Sequence, residues 1–315
     1  MRAVRLGAVI VVVVVALVVA VTVVFGSVPP SRDELLRQAG LVGKGELRIG
    51  VKDDQPGVAL REPRTGRYSG FDIDIAEMIA ADLGFAQSAI RFLPIESKDR
   101  ARMQALDGGQ FVTVDLVIAS YSITAERASL PGVLFSAPYL RTTQSVLTRR
   151  DHPPVQSLTG LRGEPVCTLT TSTSESPAVR AGLTVTQLNK ISDCVDGLLN
   201  GRYAAVTTDA AILAGFVHLH PDQLRLHAIG MDTDEQWGIN CGSNSALRDL
   251  VNLSLYHSRY DPADRRWEDA YDRNLRTEQP DALPQEVAID QQPPVPTVRV
   301  REWPWQRQTL ARQPG

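Results

Sequence analysis

From residue 47 onward, short apolar segments typical of β-strands alternate with segments whose apolar residues recur at helical spacing. The first strand is predicted at residues 47–52 and the first helix at residues 71–83, where the apolar residues share one face. Further strands are predicted at residues 91–95 and 115–119, separated by a helix at residues 100–106. This alternation favours an α/β fold built on a largely parallel sheet.

A second unit of the same kind follows, with strands predicted at 165–169, 185–188 and 204–207 and helices at 174–181 and 192–199. Two more helices, predicted at residues 245–256 and 262–275, are expected to pack back on the first unit. A chain of 315 residues is long enough for two separate cores. We therefore expect two lobes, with lobe 1 formed by residues 46–143 and 237–278 and lobe 2 by residues 144–236.

Residues 6–25 form an uncharged, almost wholly aliphatic run that is about as long as a bilayer-spanning helix. Arg2 and Arg5 precede this run, and no charge follows it until Arg32, so the positive-inside rule places the bulk of the chain outside the cytoplasm. We predict that residues 1–26 are a signal-anchor and that the protein is a single-pass, extracytoplasmic protein of the cell membrane. Cleavage before Ser27 is the alternative, although the preceding residues make a poor signal-peptidase site.

Two segments flank the predicted lobes. Residues 27–45 contain paired prolines, charges and glycines, and they are interpreted as a spacer between the membrane and the fold. Residues 279–315 form a tail rich in Pro and Gln without a usable period, which cannot bury enough apolar surface to fold alone. We expect this tail to be extended or disordered.

The charge balance and the motifs exclude several classes of function. The 33 Lys and Arg residues against 36 Asp and Glu residues leave no basic field that would hold a nucleic acid. The sequence contains no G-x-S-x-G, no phosphate-binding loop, no G-x-G-x-x-G and no H-E-x-x-H motif, and none of its five histidines lies beside a Ser or Cys in a setting that suggests a nucleophile. We therefore predict a non-enzymatic protein without a cofactor or a metal ion.

Three cysteines in an exported chain permit one disulfide. We predict that Cys167, on a strand, pairs with Cys194, on the following helix, because both lie in core segments. This bridge would stabilise the fold by about 3.5 kcal/mol on the chain-entropy estimate and leave Cys241 free. The alternative is three reduced, buried cysteines that act as small apolar residues.

Polar clusters follow several predicted strands, at the sheet edge where open α/β sheets bind their ligands. The most distinctive segments, in chain order, are 53–57 (DDQPG), 70–74 (GFDID), 122–127 (SITAER), 135–139 (FSAPY), 161–173, 207–209 (TTD) and 237–239 (WGI). In this order and spacing, residues 46–276 resemble the type II periplasmic solute-binding proteins of family 3, and specifically the actinobacterial glutamate/glutamine-binding branch.

The resemblance implies a two-lobed periplasmic binding protein fold with a ligand cleft between the lobes. It also implies binding of a free polar or acidic amino acid, glutamate or glutamine, for delivery to an ABC-type permease. The alternative is a membrane-anchored sensor that passes its ligand-closed state to a signalling partner. An enzyme on the same scaffold, such as a dehydratase, would need a general acid or base placed in the cleft.

The same resemblance assigns the two charges of an α-amino acid to different residues. Arg127 would hold the carboxylate, because its planar guanidinium can bind two oxygens, unless it is a surface residue paired with Glu126 or Glu96. Asp209 would hold the ammonium, unless it only caps the next helix. Ser172 and Thr173 would begin a helix in lobe 2 and either bind the carboxylate or act as ordinary helix caps.

The remaining candidates follow from the resemblance as well. Ser122 and Thr124 would contribute backbone and hydroxyl contacts, and Ser120 its carbonyl. The candidates for contact with the ligand side chain are Asp53, Gln55, Ser97 and Arg100. The sequence departs from the family pattern at Thr171, where many relatives have Gly, and at Leu169, where glutamine-type relatives often have Lys. These departures prevent the side-chain selectivity from being carried over.

Overall fold

The computed structural model describes residues 14–15, 29–229, 235–278 and 287–301. The described residues form two α/β lobes joined by a pair of crossing strands. The elements of lobe 1 and of the crossing strands are α1 (Arg32–Gln38), β1 (Leu47–Val51), β2 (Asp54–Gln55), β3 (Ala59–Arg61), β4 (Tyr68–Ser69), α2 (Phe71–Asp82), β5 (Ile90–Pro94), β6 (Gln104–Asp107), β7 (Gln110–Thr113), β8 (Leu116–Val117), α3 (Ala125–Ala128) and β9 (Leu140–Thr142). The elements of lobe 2 are β10 (Gln144–Arg149), β11 (Pro165–Leu169), α4 (Glu175–Arg180), β12 (Thr184–Leu188), α5 (Ile191–Leu199), β13 (Ala205–Asp209), α6 (Ala210–Leu219) and β14 (Leu224–His227). The chain returns to lobe 1 through β15 (Glu235–Trp237), α7 (Ser245–Tyr260) and α8 (Arg266–Asn274).

The core of lobe 1 is a parallel sheet in the order β5-β1-β8, covered by α2. Leu47, Ile49 and Val51 of β1 are fully buried, as expected of a central strand with covered faces. Gly70 precedes α2 with a φ of 126°, and a Cβ at this position would lie 2.4 Å from the carbonyl oxygen of Val58. Only glycine can occupy this position without a steric clash, and Gly70 therefore fixes where α2 begins relative to the sheet.

Lobe 2 contains a five-stranded sheet in the order β12-β11-β13-β10-β14. Strand β11 is parallel to β12 and β13, whereas β10 runs antiparallel to β13 and β14. A disulfide joins Cys167 of β11 to Cys194 of α5, with an S–S distance of 2.01 Å, and confirms the predicted pairing. Cys241 is buried and free.

The two lobes are connected by the hinge ribbon, which consists of β9, β15 and residues 287–289. Strands β9 and β15 pair antiparallel, with Leu140 opposite Trp237. On the other edge of β9, Ala288 pairs with Thr142, and the backbone N–H of Ile289 donates to the carbonyl of Arg141 at 2.9 Å. The C-terminal segment is therefore a third strand-like element of the connection between the lobes.

The described fold extends beyond the predicted lobes at both ends. Residues 27–45 are not only a spacer, because Ser31 and Glu34 form a capping box that starts α1 and Leu35 is buried against lobe 1. The described part of the tail, residues 287–301, is extended but packed, with Val287 and Val295 buried. The backbone N–H of Arg301 donates to the carbonyl of Pro30, so the two ends of the described fold meet.

The helix predicted at residues 100–106 is also wrong. Residues 97–99 form a single 3₁₀ turn, and β6 then pairs with β7 in an antiparallel hairpin. Gly108 and Gly109 connect these strands with φ values of 57° and 86°. Two adjacent residues with positive φ match the right-handed twist of a tight hairpin, and glycine adopts this conformation without a steric penalty.

The predicted membrane helix falls almost wholly outside the described residues, which include only Val14 and Val15 of the apolar run. Within the part of the chain that the structure describes, no helix combines the length and the apolar character needed to cross a bilayer. Residues 279–286 and 302–315 of the predicted tail also lie outside the described residues.

Candidate ligand-binding site

A narrow cleft, partly open to solvent, lies between the lobes. Lobe 1 contributes four polar side chains, and lobe 2 contributes the rest of the wall. The lining residues are Arg100, Ser120, Ser122, Arg127, Leu169, Ser172, Thr173, Thr208, Asp209 and Ile212. The structure therefore brings most of the predicted ligand-binding residues to one cavity.

Arg127 lies on α3 and reaches across the cleft. Its Nη1 donates to the carbonyl of Ser122 at 2.8 Å, and its Nη2 donates to the carbonyl of Thr171 in lobe 2 at 2.7 Å. Its guanidinium carbon lies 4.9 Å from the centre of the Tyr121 ring. No described carboxylate forms an ion pair with Arg127, so the alternative of a surface pair with Glu126 or Glu96 does not describe this arginine. Burial lowers its pKa.

Asp209 ends β13 and precedes α6, and its side chain is 3% exposed. It makes no capping bond to α6; instead its Oδ2 accepts a hydrogen bond of 2.6 Å from the indole Nε1 of Trp237. Burial and the nearby Glu235 raise the pKa of Asp209 to about 7, against the opposing effects of Trp237 and Arg127. The carboxylate therefore faces the cleft region rather than serving as a helix cap.

Arg100 forms a second cationic group on the lobe 1 wall and is 4% exposed. Its Nη1 donates to the carbonyls of Ala119 and Ser120, at 3.1 and 3.0 Å, and its Nε donates to the carbonyl of Ser97 at 3.1 Å. Its guanidinium carbon lies 4.5 Å from the centre of the Tyr121 ring, which Arg127 also contacts. Burial, and then repulsion by Arg127, lowers the pKa of Arg100 to about 9.

The conformation of Ser120 is held by a buried carboxylate. The backbone of Ser120 has a φ of 43°, which is unusual for a residue with a side chain. Its N–H donates to Oδ2 of Asp72 at 2.8 Å, while Oδ1 of Asp72 accepts from the hydroxyl of Tyr139 at 2.8 Å. Burial raises the pKa of Asp72 to about 7. The Ser120 carbonyl, predicted as a ligand contact, is bonded to Arg100.

On the lobe 2 wall, Ser172 and Thr173 line the cleft but do not begin a helix. Helix α4 starts at Glu175 with Ser174 at its N-cap position, and the hydroxyl of Ser172 accepts from the N–H of Ser174 at 3.2 Å. Thr171 has a φ of 60°, in the region that favours the glycine of its relatives. This strained turn presents the Thr171 carbonyl to Arg127.

Four predicted site residues do not line the cleft. Thr124 caps α3 by accepting from the N–H of Arg127 at 3.1 Å. Asp53 pairs with Lys190 of lobe 2 at 2.7 Å. Gln55 and Ser97 lie one layer behind the wall, where Gln55 accepts from the Ser120 hydroxyl at 3.0 Å and the Ser97 carbonyl accepts from Arg100.

Trp237 was not predicted as a site residue. It contacts Asp209 because β15 crosses next to the cleft, which no local pattern indicates. Lys52, which is 2% exposed directly after β1, is not among the residues that line the cleft. In the described ranges, no three His, Cys, Asp or Glu residues are grouped so that they could hold a metal ion.

The wall therefore carries guanidinium groups on lobe 1 and a carboxylate on lobe 2. A profile of the bacterial extracellular solute-binding proteins, family 3, matches residues 47–283. The chain belongs to this family. It is 33% identical over 226 residues to the glutamate-binding protein GluB of Corynebacterium glutamicum, covering 68% of this chain and 74% of that protein. It is 31% identical to the ABC transporter glutamine-binding protein GlnH of Bacillus subtilis, over 73% of this chain and 83% of that protein.

Solved structures of the same type support this assignment. An ancestral arginine-binding protein bound to glutamine superposes with a TM-score of 0.64 at 28% identity, covering 73% of this chain and 98% of that protein. The cysteine-binding protein of Campylobacter jejuni superposes with a TM-score of 0.69 over 80% of this chain and 98% of that protein. At 19% identity, the latter shows the fold alone. The fold is that of the type II periplasmic amino acid-binding proteins.

Proposed function

We propose that this protein captures a free amino acid, glutamate or glutamine, between its two lobes. The observation that carries the proposal is that Arg127 of lobe 1 and Asp209 of lobe 2 line the same cleft. An α-amino acid presents a carboxylate and an ammonium that must both be desolvated on binding, and each requires a partner of opposite charge. Arg127 binds the carboxylate in this proposal, and Asp209 binds the ammonium.

The neighbouring groups fit these two roles. Among the described residues, the guanidinium of Arg127 bonds to the neutral carbonyls of Ser122 and Thr171 and pairs with no carboxylate, so its charge is available to an anion. Charge-assisted hydrogen bonds to such a group contribute roughly 1.5 to 3 kcal/mol each. Ser122, Ser172 and Thr173 line the same space and supply hydroxyl groups to the remaining carboxylate oxygens. Because the two anchors belong to different lobes, the ligand stabilises the closed arrangement.

Delivery to an ABC-type permease is the role that the relatives support, since one of them is named as an ABC transporter glutamine-binding protein. The protein acts in this role by binding and release, without catalysis. The apolar run at residues 6–25 tethers the chain to the cell membrane and leaves the lobes on the extracytoplasmic side. The positive charges of Arg2 and Arg5 before this run support that orientation.

The test is calorimetric titration of the full-length protein in detergent with L-glutamate and L-glutamine. Arg127→Met and Asp209→Asn should each weaken binding of both ligands by more than tenfold, because each variant leaves one charge of the ligand unpaired. Arg180→Met, which removes an exposed arginine of lobe 2, is the matched control and should bind as the unaltered protein does. Unchanged affinity in Arg127→Met or Asp209→Asn would remove that residue from the site.

A further inference from the structure

The C-terminal strap, residues 287–301, lies outside the part of the chain that matches the family profile. Two side chains of lobe 1 and of the strap anchor it to the helices of that lobe. The hydroxyl of Tyr271 on α8 donates to the carbonyl of Ala288 at 2.7 Å. The Nε2 of Gln292 donates to the carbonyl of Leu255 on α7 at 3.0 Å. The position of the strap is therefore set by lobe 1.

The first residues of the strap contact β9 of the hinge ribbon. Ala288 pairs with Thr142, and the backbone N–H of Ile289 donates to the carbonyl of Arg141 at 2.9 Å. The hydroxyl of Thr142 donates to the carbonyl of Val287. Thr142 is the last residue of β9, directly before the chain enters lobe 2. The strap therefore contacts the hinge where one lobe is joined to the other.

The same hydroxyl group also contacts lobe 2. The Oγ1 of Thr142 accepts from the backbone N–H of Ala211 at 3.2 Å. Ala211 lies in the first turn of α6, directly after the segment that carries Asp209 of the cleft wall. The carbonyl of Thr143, the next hinge residue, accepts from the N–H of Ala210 at 2.7 Å. One threonine side chain thus joins the strap to the helix that begins at the cleft.

The strap meets Thr142 in an arrangement in which the two lobes are in contact. Arg127 of lobe 1 donates to the carbonyl of Thr171 of lobe 2 at 2.7 Å. Lys190 of lobe 2 pairs with Asp53 of lobe 1 at 2.7 Å. The contacts between the strap and the hinge therefore belong to the closed arrangement of the lobes.

We propose that the C-terminal strap clamps the hinge through Thr142, stabilises the closed arrangement of the lobes and thereby slows the release of the ligand. This inference rests on the proposed function, because ligand release is the step that the strap controls. Val287 is held on lobe 1 and Ala211 belongs to lobe 2, so rotation of one lobe against the other separates the two partners of the Thr142 hydroxyl. Each bond lost on opening costs free energy. The coupling is reciprocal, so a ligand that binds the closed arrangement also stabilises the strap.

The decisive experiment measures the rate at which radiolabelled L-glutamate leaves the full-length protein after dilution into an excess of unlabelled ligand. Thr142→Val removes the hydroxyl but keeps the branched shape, and it should raise this dissociation rate by about fivefold or more. Val295→Asp places a charge at a strap position that is 3% exposed and lies outside the segment that contacts the hinge. It should raise the rate by about threefold or more, because a buried unpaired charge loosens the strap. Ser254→Ala removes a buried hydroxyl that donates to Asp82 within lobe 1, and this control should release glutamate at the unaltered rate.

Hydrogen exchange of the unaltered protein tests the coupling even if a variant does not fold. Saturating L-glutamate should slow amide exchange in a peptide that covers residues 287–291 by about tenfold or more, because the ligand holds the lobes closed over the strap contacts. If exchange in this peptide does not respond to glutamate, or if both strap variants release glutamate at the unaltered rate, the inference is overturned and the proposed function stands. If the unaltered protein binds neither glutamate nor glutamine, both are overturned.

Discussion

The indole Nε1 of Trp237 donates a hydrogen bond of 2.6 Å to Oδ2 of Asp209. Trp237 belongs to β15 of the hinge ribbon, whereas Asp209 belongs to the lobe 2 wall of the cleft. The same strand carries Glu235, which is 9% exposed. The side-chain Nε2 of Gln144 donates a hydrogen bond of 2.9 Å to Oε1 of Glu235. The protonation of Asp209 thus depends on groups of the hinge ribbon as well as of the cleft, because Glu235 raises its pKa and Trp237 lowers it.

Ligand binding should depend on pH through Asp209. Its pKa of about 7 in the free protein means that the carboxylate is largely ionised at pH 8 and largely protonated at pH 6. The ammonium of the ligand binds the ionised form, so affinity should fall by about tenfold between pH 8 and pH 6. Calorimetric titrations across this range check the prediction, and a flat profile would contradict it.

The variant Trp237→Phe tests the cause of that dependence. Loss of the indole N–H removes a hydrogen bond that lowers the pKa of Asp209. The pH at which affinity begins to fall should therefore move upward, with weaker binding at pH 7 and nearly normal binding at pH 9. A uniform loss at every pH would instead indicate that the indole acts by packing.

Gly215 should limit how closely the lobes approach. It lies on α6 of lobe 2, and an added Cβ would stand 2.2 Å from the carbonyl oxygen of Pro56 in lobe 1. Gly215→Ala should favour the open arrangement and weaken ligand binding by tenfold or more, although Ala stabilises an isolated helix by about 1 kcal/mol relative to Gly. Small-angle scattering of the ligand-saturated protein should show a larger radius of gyration than the unaltered protein. In Gly160→Ala the added Cβ meets no atom, so this control should behave normally.

The Asp53–Lys190 pair should make a small contribution to closure. The side chains are 19% and 43% exposed, and ion pairs of this exposure contribute about 1 kcal/mol or less. Asp53→Asn and Lys190→Met should each weaken glutamate binding by less than about fivefold, and the double variant should be no weaker than either. A larger effect of Asp53→Asn alone would show that Asp53 contacts the ligand, as its sequence position first indicated.

The packed tail should contribute to stability through the hinge ribbon. Ile289→Pro removes the N–H that donates to the Arg141 carbonyl, and proline is compatible with the extended chain on either side. The free energy of unfolding in urea should decrease by about 1 to 2 kcal/mol. Thr297→Pro places the same residue at an exposed tail position and serves as the control. Equal stability of the two variants would show that this backbone contact contributes nothing.

Local sequence patterns were sufficient to predict the alternating strands and helices of the α/β units. The strand predicted at residues 165–169 is β11 with the same bounds, and the helix predicted at residues 71–83 is α2 to within one residue. The disulfide followed from these local assignments, since a strand and the next helix of an α/β unit pack together. At residues 100–106 the apolar periodicity was misleading, and Gly108 with Gly109 was the turn signal that should have outweighed it.

The parts of the site that depend on distant segments could not be predicted. Trp237 and Asp209 are 28 residues apart, and they meet only because the chain returns through the hinge. The tail was expected to be extended or disordered on composition alone, and its described part is extended, but Val287 and Val295 are buried.

The contact between Arg301 and Pro30 has a mechanical consequence. Both ends of the described fold leave from one corner of lobe 1, where α1 packs on α7. Any tether joined to either end therefore holds lobe 1 in place. Lobe 2 is therefore the lobe that moves when a ligand binds or is released.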